Sequence, residues 1–202
     1  MIDSPTAMPE LVTERLLIRV FREDDLEAAH KILDVEEAVA GGSPPPDLEH
    51  RRRLIEWTRG HVNIQAALLQ PPYADRAIVL RETDEVIGSV GLVPGLCMSG
   101  RFPSLRALGV LPGDDAVYAE VALFWHIGRN HRGRGYATEA GREMIRYAFE
   151  SLHLQRVIAT TEYDNLASQR VIQRLGMTIE RNPLPHPTWL QIVATLANPR
   201  FS

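Results

Sequence analysis

Along the chain the apolar positions switch between a two-residue alternation and a helical repeat of about 3.6 residues. Arg15 to Val20 alternates as a strand, and Asp24 or Asp25 stands ready to cap a helix over Leu26 to Leu33. Gly41-Gly42-Ser43-Pro44-Pro45-Pro46 breaks the pattern, because three prolines lack donors for a helix or an inner strand. A second helix is expected from Leu48 to Leu69. Arg76 to Arg81 and Glu85 to Val93 read as a hairpin with Thr83-Asp84 in its turn. Pro94 to Val117 is a long connection punctuated by glycine and proline, of the kind that is usually functional or mobile.

The second half alternates strand and helix. Tyr118 to Ile127 is the next strand, with Val121, Leu123, Trp125 and Ile127 on an expected core face and Glu120, Ala122, Phe124 and His126 on a mixed one. A helix is expected from Arg134 to Leu152, where Ala137, Ala140, Met144, Ile145, Ala148, Phe149 and Leu152 repeat at helical spacing. Arg156 to Glu162 reads as a strand, and Asn165 to Leu175 as a helix stopped by Gly176. Met177 to Glu180 and Trp189 to Leu196 form a last strand pair around Pro183-Leu184-Pro185-His186-Pro187. Strands and helices intermix without a repeat or a dividing linker, so residues 1–202 are expected to form a single domain of the α/β (α+β) class.

The candidate chemistry centres on Arg132-Gly133-Arg134-Gly135-Tyr136-Ala137-Thr138, which joins a strand to a helix. First-turn N–H groups lack intrahelical partners and the helix dipole favours an anion there, so such a turn can bind phosphate. The two glycines let a backbone approach closely, and the two arginines add charge. A dinucleotide fingerprint needs Gly or Ala where Thr138 stands, and a Walker loop needs a Gly-Lys-Ser/Thr that is absent. What remains is Arg132-x-x-Gly135-x-Ala137.

That pattern resembles the pyrophosphate loop of the GNAT N-acetyltransferases. Leu11 to Val20 with Asp24-Asp25 is similar to the first strand of the ribosomal-protein N-terminal acetyltransferase-like branch, and Glu120 to Trp125 to its fourth. Asp164-Asn165-Leu166-Ala167-Ser168 and Leu175-Gly176-Met177 resemble its second CoA-side motif. The resemblance spans about residues 10 to 198. It implies a mixed, mostly antiparallel sheet flanked by helices, with central strands splayed for acetyl-CoA. It also implies direct acetyl transfer to an amine in a ternary complex. Cofactor contacts are then expected from His126, Ile127 and Gly128, from Arg132 to Thr138, and from Asn165 and Ser168. The acceptor side is expected at the Gly41 to Pro46 loop, the following helix and the Pro94 to Val117 connection.

The reaction needs a held cofactor, a neutral amine and a stabilised leaving thiolate. An alkyl ammonium of pKa about 10.4 is mostly protonated at neutral pH, so a base helps. Glu120 is the candidate base, the other reading being an exposed strand residue. His126 lies six residues on, roughly 20 Å away along a strand, and reads as a groove wall or a surface residue. Asn165 doubles as a helix N-cap. Many relatives carry a tyrosine seven residues after this asparagine as the acid for the thiolate, whereas this chain has Ile172. Ser168 or a water must then serve, or the thiolate leaves unaided. A non-catalytic acyl-CoA-binding or sensor protein is the alternative.

Composition narrows the partners. Twenty-two basic and 26 acidic residues give a net charge of -4, which implies no global attraction to nucleic acid or anionic membrane. Arg51-Arg52-Arg53 is expected to be a solvated helix face rather than an RNA contact. The one cysteine, Cys97, allows no intrachain disulfide and fits a reducing, cytoplasmic setting. The start Met1-Ile2-Asp3-Ser4-Pro5 does not read as a signal peptide, and no apolar run nears the ~20 residues that span a bilayer. The scattered histidines match no zinc spacing, so no metal is expected. A homodimer stays open, and the acceptor amine, peptide or small molecule, is not specified by these motifs.

Overall fold

The structure, a computed structural model, describes residues 9–68, 70–97, 101–106 and 117–201. The chain divides into two units, Met1–Leu92 with Phe124–Met144, and Val93–Leu123 with Ile145–Ser202.

In the first unit β1 (Leu11–Val12), β2 (Leu16–Arg19), β3 (Asp75–Leu80) and β4 (Val86–Cys97) pair antiparallel in that order. The hairpin between β3 and β4 forms where Thr83-Asp84 predicts it: Asp84 takes a left-handed φ of 56°, and Leu80 N donates to Glu85 O at 2.9 Å. Phe21, Leu26, Ala29, Ile55, Ala77, Val79 and Val86 form the core beneath these strands. Gly88 lets β4 lie against the end of the next strand, since a β-carbon there would stand 2.1 Å from the carbonyl oxygen of His126.

The first helix runs past its expected end at Leu33. It comprises α1 (Leu26–His30), a π-helical turn (Lys31–Val35) and α2 (Glu36–Gly41), and ends at Gly42 with φ 68°. Asp34, the residue after that expected end, points inward. Its carboxylate is buried, accepting from Arg51 Nε at 2.9 Å and lying 2.9 Å from His30 Nδ1. The long α3 (Leu48–Ala67) starts at Asp47, whose side chain accepts from His50 N at 2.7 Å, and buries Ile55, Thr58, Val62 and Gln65. The arginine run is held by acidic neighbours: Arg51 by Asp34, Arg52 by Glu23 and Glu49, Arg53 by Glu49.

In the second unit β5 (Tyr118–Ile127), which carries its last residues into the first unit, pairs parallel with β6 (Arg156–Thr161) through Ala122 and Ile158. β7 (Thr178–Arg181) and β6 each pair antiparallel with β8 (Ile192–Ala197). The strand order is β1-β2-β3-β4-β5-β6-β8-β7, with helices packed on the strands, as the resemblance implies. The helices here are α4 (Pro103–Arg106), α5 (Tyr136–Glu150), which starts in the first unit, and α6 (Leu166–Arg174). Cys97, Phe102, Leu105, Ile158, Leu190 and Val193 form a second core. The expected connection from Pro94 thus contains the end of β4 and a helical turn, and its residues 98–100 and 107–116 lie outside the described ones.

The expected faces of β5 do not hold. Its buried residues are Glu120, Leu123 and Ile127, and Phe124 is exposed. Spacings of three and four residues cannot come from one strictly alternating face, so the strand turns its side chains along its length.

One buried pair organises the N-terminal region. Arg19 donates to Asp25 through Nη1 at 2.6 Å and Nη2 at 3.0 Å, and Arg22 N donates to the same carboxylate at 2.6 Å. Asp25 therefore closes a side-chain clamp and the capping box of the 3-10 turn Glu23–Asp25, and its side chain makes no cap bond to α1. Asp25→Ala would leave a buried guanidinium without its counter-charge, and is expected to cost about 3–5 kcal/mol of stability, read from urea unfolding.

Candidate functional site

The turn that joins β5 to α5 is built by its glycines. Gly133 and Gly135 have φ of 76° and 84°. A side chain in that left-handed region costs roughly 1–2 kcal/mol, so glycine is the residue that fits. A β-carbon at Gly133 would meet nothing within 4 Å, and one at Gly135 only Arg15 Nη2 at 3.6 Å. The backbone, not crowding, thus demands glycine, and the outer face of the turn stays open. α5 starts at Tyr136, and Glu139 N makes a helical bond to Gly135 O at 3.0 Å. The first-turn N–H groups of Tyr136, Ala137 and Thr138 have no intrahelical acceptor.

Residues outside the motif pin this turn. Glu139 accepts from Thr13 Oγ1 at 2.6 Å, Arg15 N at 2.9 Å and Arg15 Nε at 2.7 Å. The Arg15 guanidinium also donates to Arg134 O at 3.1 Å and stands 4.6 Å from the centre of the Tyr136 ring. Burial raises the Glu139 carboxyl, but the hydrogen bonds from Thr13 and Arg15 outweigh it and hold the group below its ordinary value. Sequence reading missed Thr13, Arg15 and Glu139 as one group, since 124 residues separate Arg15 from its partner. The available signal was Glu139 in the first turn of a helix, where an unpaired carboxylate is favoured but would repel an anion.

The two arginines of the turn are not equivalent. Arg132 Nε donates to Ile127 O at 2.7 Å, and its Nη2 lies 3.5 Å from His126 Nε2 and 3.7 Å from Glu37. Arg134 is exposed, and its side chain has no partner among the described residues. His126 is half-buried, with Nδ1 3.2 Å from Glu37 Oε1. Burial lowers its pKa, Glu37 pulls it back up and Arg132 lowers it again. Gly128 gives its N–H to Ile87 O and accepts from His131 N, each at 2.9 Å, so its backbone is already paired inside the fold. Thr138 is buried, and its Oγ1 has no hydrogen-bond partner among the described residues.

The other candidate residues belong to the second unit. Glu120 is buried, not an exposed strand residue, and forks onto Arg156, which donates through Nε at 2.8 Å and through Nη2. Both carboxylate oxygens accept from one guanidinium, and each oxygen has a second lone-pair site beyond that bond. Asn165 caps α6: its Oδ1 accepts from Ser168 N at 3.1 Å. Asn165 and Ser168 are half-buried. Ile172 is completely buried and offers no proton. Among the described residues no group of three or more His, Cys, Asp or Glu side chains could hold a metal, and Cys97 is buried.

Open left-handed glycines, first-turn amides without an intrahelical acceptor and the exposed Arg134 are groups able to bind an anion such as a pyrophosphate. The sequence matches the description "Acetyltransferase (GNAT) domain" over residues 15–178. It is 29% identical over 175 residues to the uncharacterized N-acetyltransferase p20 of Bacillus licheniformis, covering 86% of this chain and 84% of that one. The fold is similar to the crystal structure of an acetyltransferase from Agrobacterium tumefaciens, with a TM-score of 0.66 at 24% identity over 94% of this chain and 95% of that one. It is also similar to a ribosomal-protein-S5-alanine acetyltransferase of Vibrio fischeri, with a TM-score of 0.63 at 16% identity over 96% of this chain and all of that one.

The depressed Glu139 carboxyl makes the anchoring of the turn pH-dependent. Its contribution is fully present above the ordinary carboxylate value of 4.5 and is lost as pH falls through the lower folded value. Glu139→Gln is therefore expected to be less stable than the parent near neutral pH. The difference should close in acid, below the folded carboxyl's range, when thermal unfolding is followed across that span.

Proposed function

Because the chain belongs to the GNAT acetyltransferase family, and so is an acetyl-CoA-dependent acyltransferase, we propose that it acetylates an amine by direct attack in a ternary complex, with the turn at Arg132 to Thr138 receiving the CoA pyrophosphate. The observation that carries this reading is the pair of left-handed glycines leading into the unpaired first turn of α5. Acetyl-CoA supplies an activated acyl group and a good leaving thiol; the chain must bind it and deliver a neutral amine. Tyr136, Ala137 and Thr138 offer amides to the phosphates, and Arg134 offers its free charge. The partnerless hydroxyl of Thr138 stands at the same helix start.

Glu120 is the proposed base for the acceptor's proton, with Arg156 fixing the orientation of its carboxylate. The proton would arrive on a carboxylate lone pair beyond the guanidinium bonds. Ser168, on the first turn of α6, is proposed to donate a hydrogen bond as charge develops on sulfur, in place of the family's tyrosine, where Ile172 is buried. The likeness to a ribosomal-protein-S5-alanine acetyltransferase favours a peptide N-terminus among the candidate acceptors. Thiol release from acetyl-CoA in the presence of peptide N-termini, small metabolite amines and amino sugars tests the reading. No release with any of them would leave the binding-only alternative.

Gly135→Val forces a β-branched side chain into φ near 84° and reorients the amides of the turn. It is expected to weaken CoA binding by about 10-fold or more in calorimetry, since at least one charge-assisted hydrogen bond is lost, with the unfolding transition retained. Glu120→Gln keeps the shape of the Arg156 pair and removes the base. It should lower the acetylation rate by roughly 10²-fold while leaving CoA affinity nearly unchanged.

A further inference from the structure

Three buried or largely buried carboxylates of this chain, Asp25, Asp34 and Glu120, each face a guanidinium, on Arg19, Arg51 and Arg156. Asp75, the first residue of β3, does not. It is half-buried, and its carboxylate has no hydrogen bond or ion pair among the described residues. Its position is specified by the strand beside it. Asp75 is paired in register with Gly91 of β4, where a β-carbon would stand 2.7 Å from Asp75 Oδ1 and 2.8 Å from the carbonyl oxygen of Ala74. Glycine at 91 thus keeps open the space into which the Asp75 carboxylate leans.

The surroundings leave this charge unbalanced. Arg51 of α3 is the cation whose field reaches Asp75, but its Nε and Nη2 are bound to Asp34 at 2.9 and 2.5 Å. His30 of α1 is likewise engaged with Asp34, at 2.9 Å from it. Tyr73, two residues before Asp75, is half-buried and brings no positive charge. Burial raises the Asp75 carboxyl above its ordinary value, and Arg51 pulls it back only in part. A half-buried carboxylate without a counter-charge is costly, and it remains accessible enough to gain one. A divalent cation is a poor occupant, because no cluster of metal-binding side chains exists among the described residues. A primary ammonium carries one positive charge and three N–H donors, and needs only one carboxylate.

We propose that Asp75 is the docking carboxylate for a primary ammonium group of the acceptor, and that it sets a preference for cationic acceptors. The proposal rests on the acetyltransferase reading of this chain for its biological meaning, but the contact itself does not require the cofactor.

Two measurements decide it. The carboxyl carbon of Asp75 is followed by NMR in the labelled full chain while n-butylammonium chloride is added, with n-butanol as the uncharged control. The ammonium is expected to shift that resonance saturably and the alcohol to leave it in place. An unmoved Asp75 resonance with the ammonium, or an equal shift with the alcohol, overturns the proposal. This arm needs no turnover, so a failure of acetyl transfer does not decide it.

In the second arm Asp75→Asn is compared with the parent. At neutral pH the variant is expected to melt about 2–4 °C higher, because a desolvated charge without a partner is removed. That gain should vanish in acid, where the carboxyl is protonated in either state. Acetyl transfer to a cationic acceptor should show KM raised about 10- to 100-fold with CoA affinity unchanged, as for loss of one charged hydrogen bond. A variant that melts lower and keeps its KM assigns Asp75 a structural role and overturns the proposal. Loss of CoA binding in both proteins would instead strike the acetyltransferase reading.

Discussion

The geometry of the turn at residues 132–138 depends on Arg15 and Glu139. Glycines permit a left-handed backbone but do not select it, and they leave the unfolded chain more freedom to lose. Selection comes from the carboxylate of Glu139, which gathers the hydroxyl of Thr13 and both the backbone N–H and the guanidinium of Arg15, while that guanidinium also holds the carbonyl of Arg134. Arg15 is 43% exposed, so the ion pair alone is worth little in water. The backbone and hydroxyl bonds around it carry the positional information. The same contacts neutralise a carboxylate that would otherwise repel an anion at the start of α5. Shape and charge at the turn are therefore solved by one set of groups.

Much of the fold could be read from local pattern. The β3–β4 hairpin, the long α3, the cap at Asn165 and the stop at Gly176, whose φ is 77°, all follow from signals carried within a few residues. The misreadings share a cause. The helix expected to end at Leu33 stops just short of Asp34, and Glu120 is expected on a mixed face as candidate base or exposed strand residue, because a charged residue is usually exposed. Each is buried against an arginine distant in sequence, Arg51 and Arg156. Pairing across 17 and 36 residues leaves no local trace. The candidate turn was legible because its chemistry is backbone chemistry, written as glycines before a helix. Its supports were not, because they are long-range side-chain bonds.

The ionic pairs also differ in what they can do. Arg19 with Asp25 is closed: both side chains are buried and further tied by the N–H of Arg22. Glu120 with Arg156 is nearly as enclosed, so any proton chemistry there proceeds with a guanidinium in attendance. His126 and Arg132 share the exposed Glu37. Replacing a buried pair of the first kind by apolar side chains is often neutral for net stability, whereas removing one partner is costly.

The cap of α6 has one more consequence, which concerns hydrogen-bond polarity. The side-chain amide of Asn165 can in principle present either of its ends, and its orientation is normally ambiguous. Here the helix resolves it, since Ser168 N–H can bond only to the oxygen. The nitrogen is left facing away with its donors uncommitted among the described residues. A molecule that meets Asn165 from outside the helix must therefore bring a carbonyl or another lone pair. One that brings only an N–H would find just the second lone pair of an oxygen already engaged in the cap.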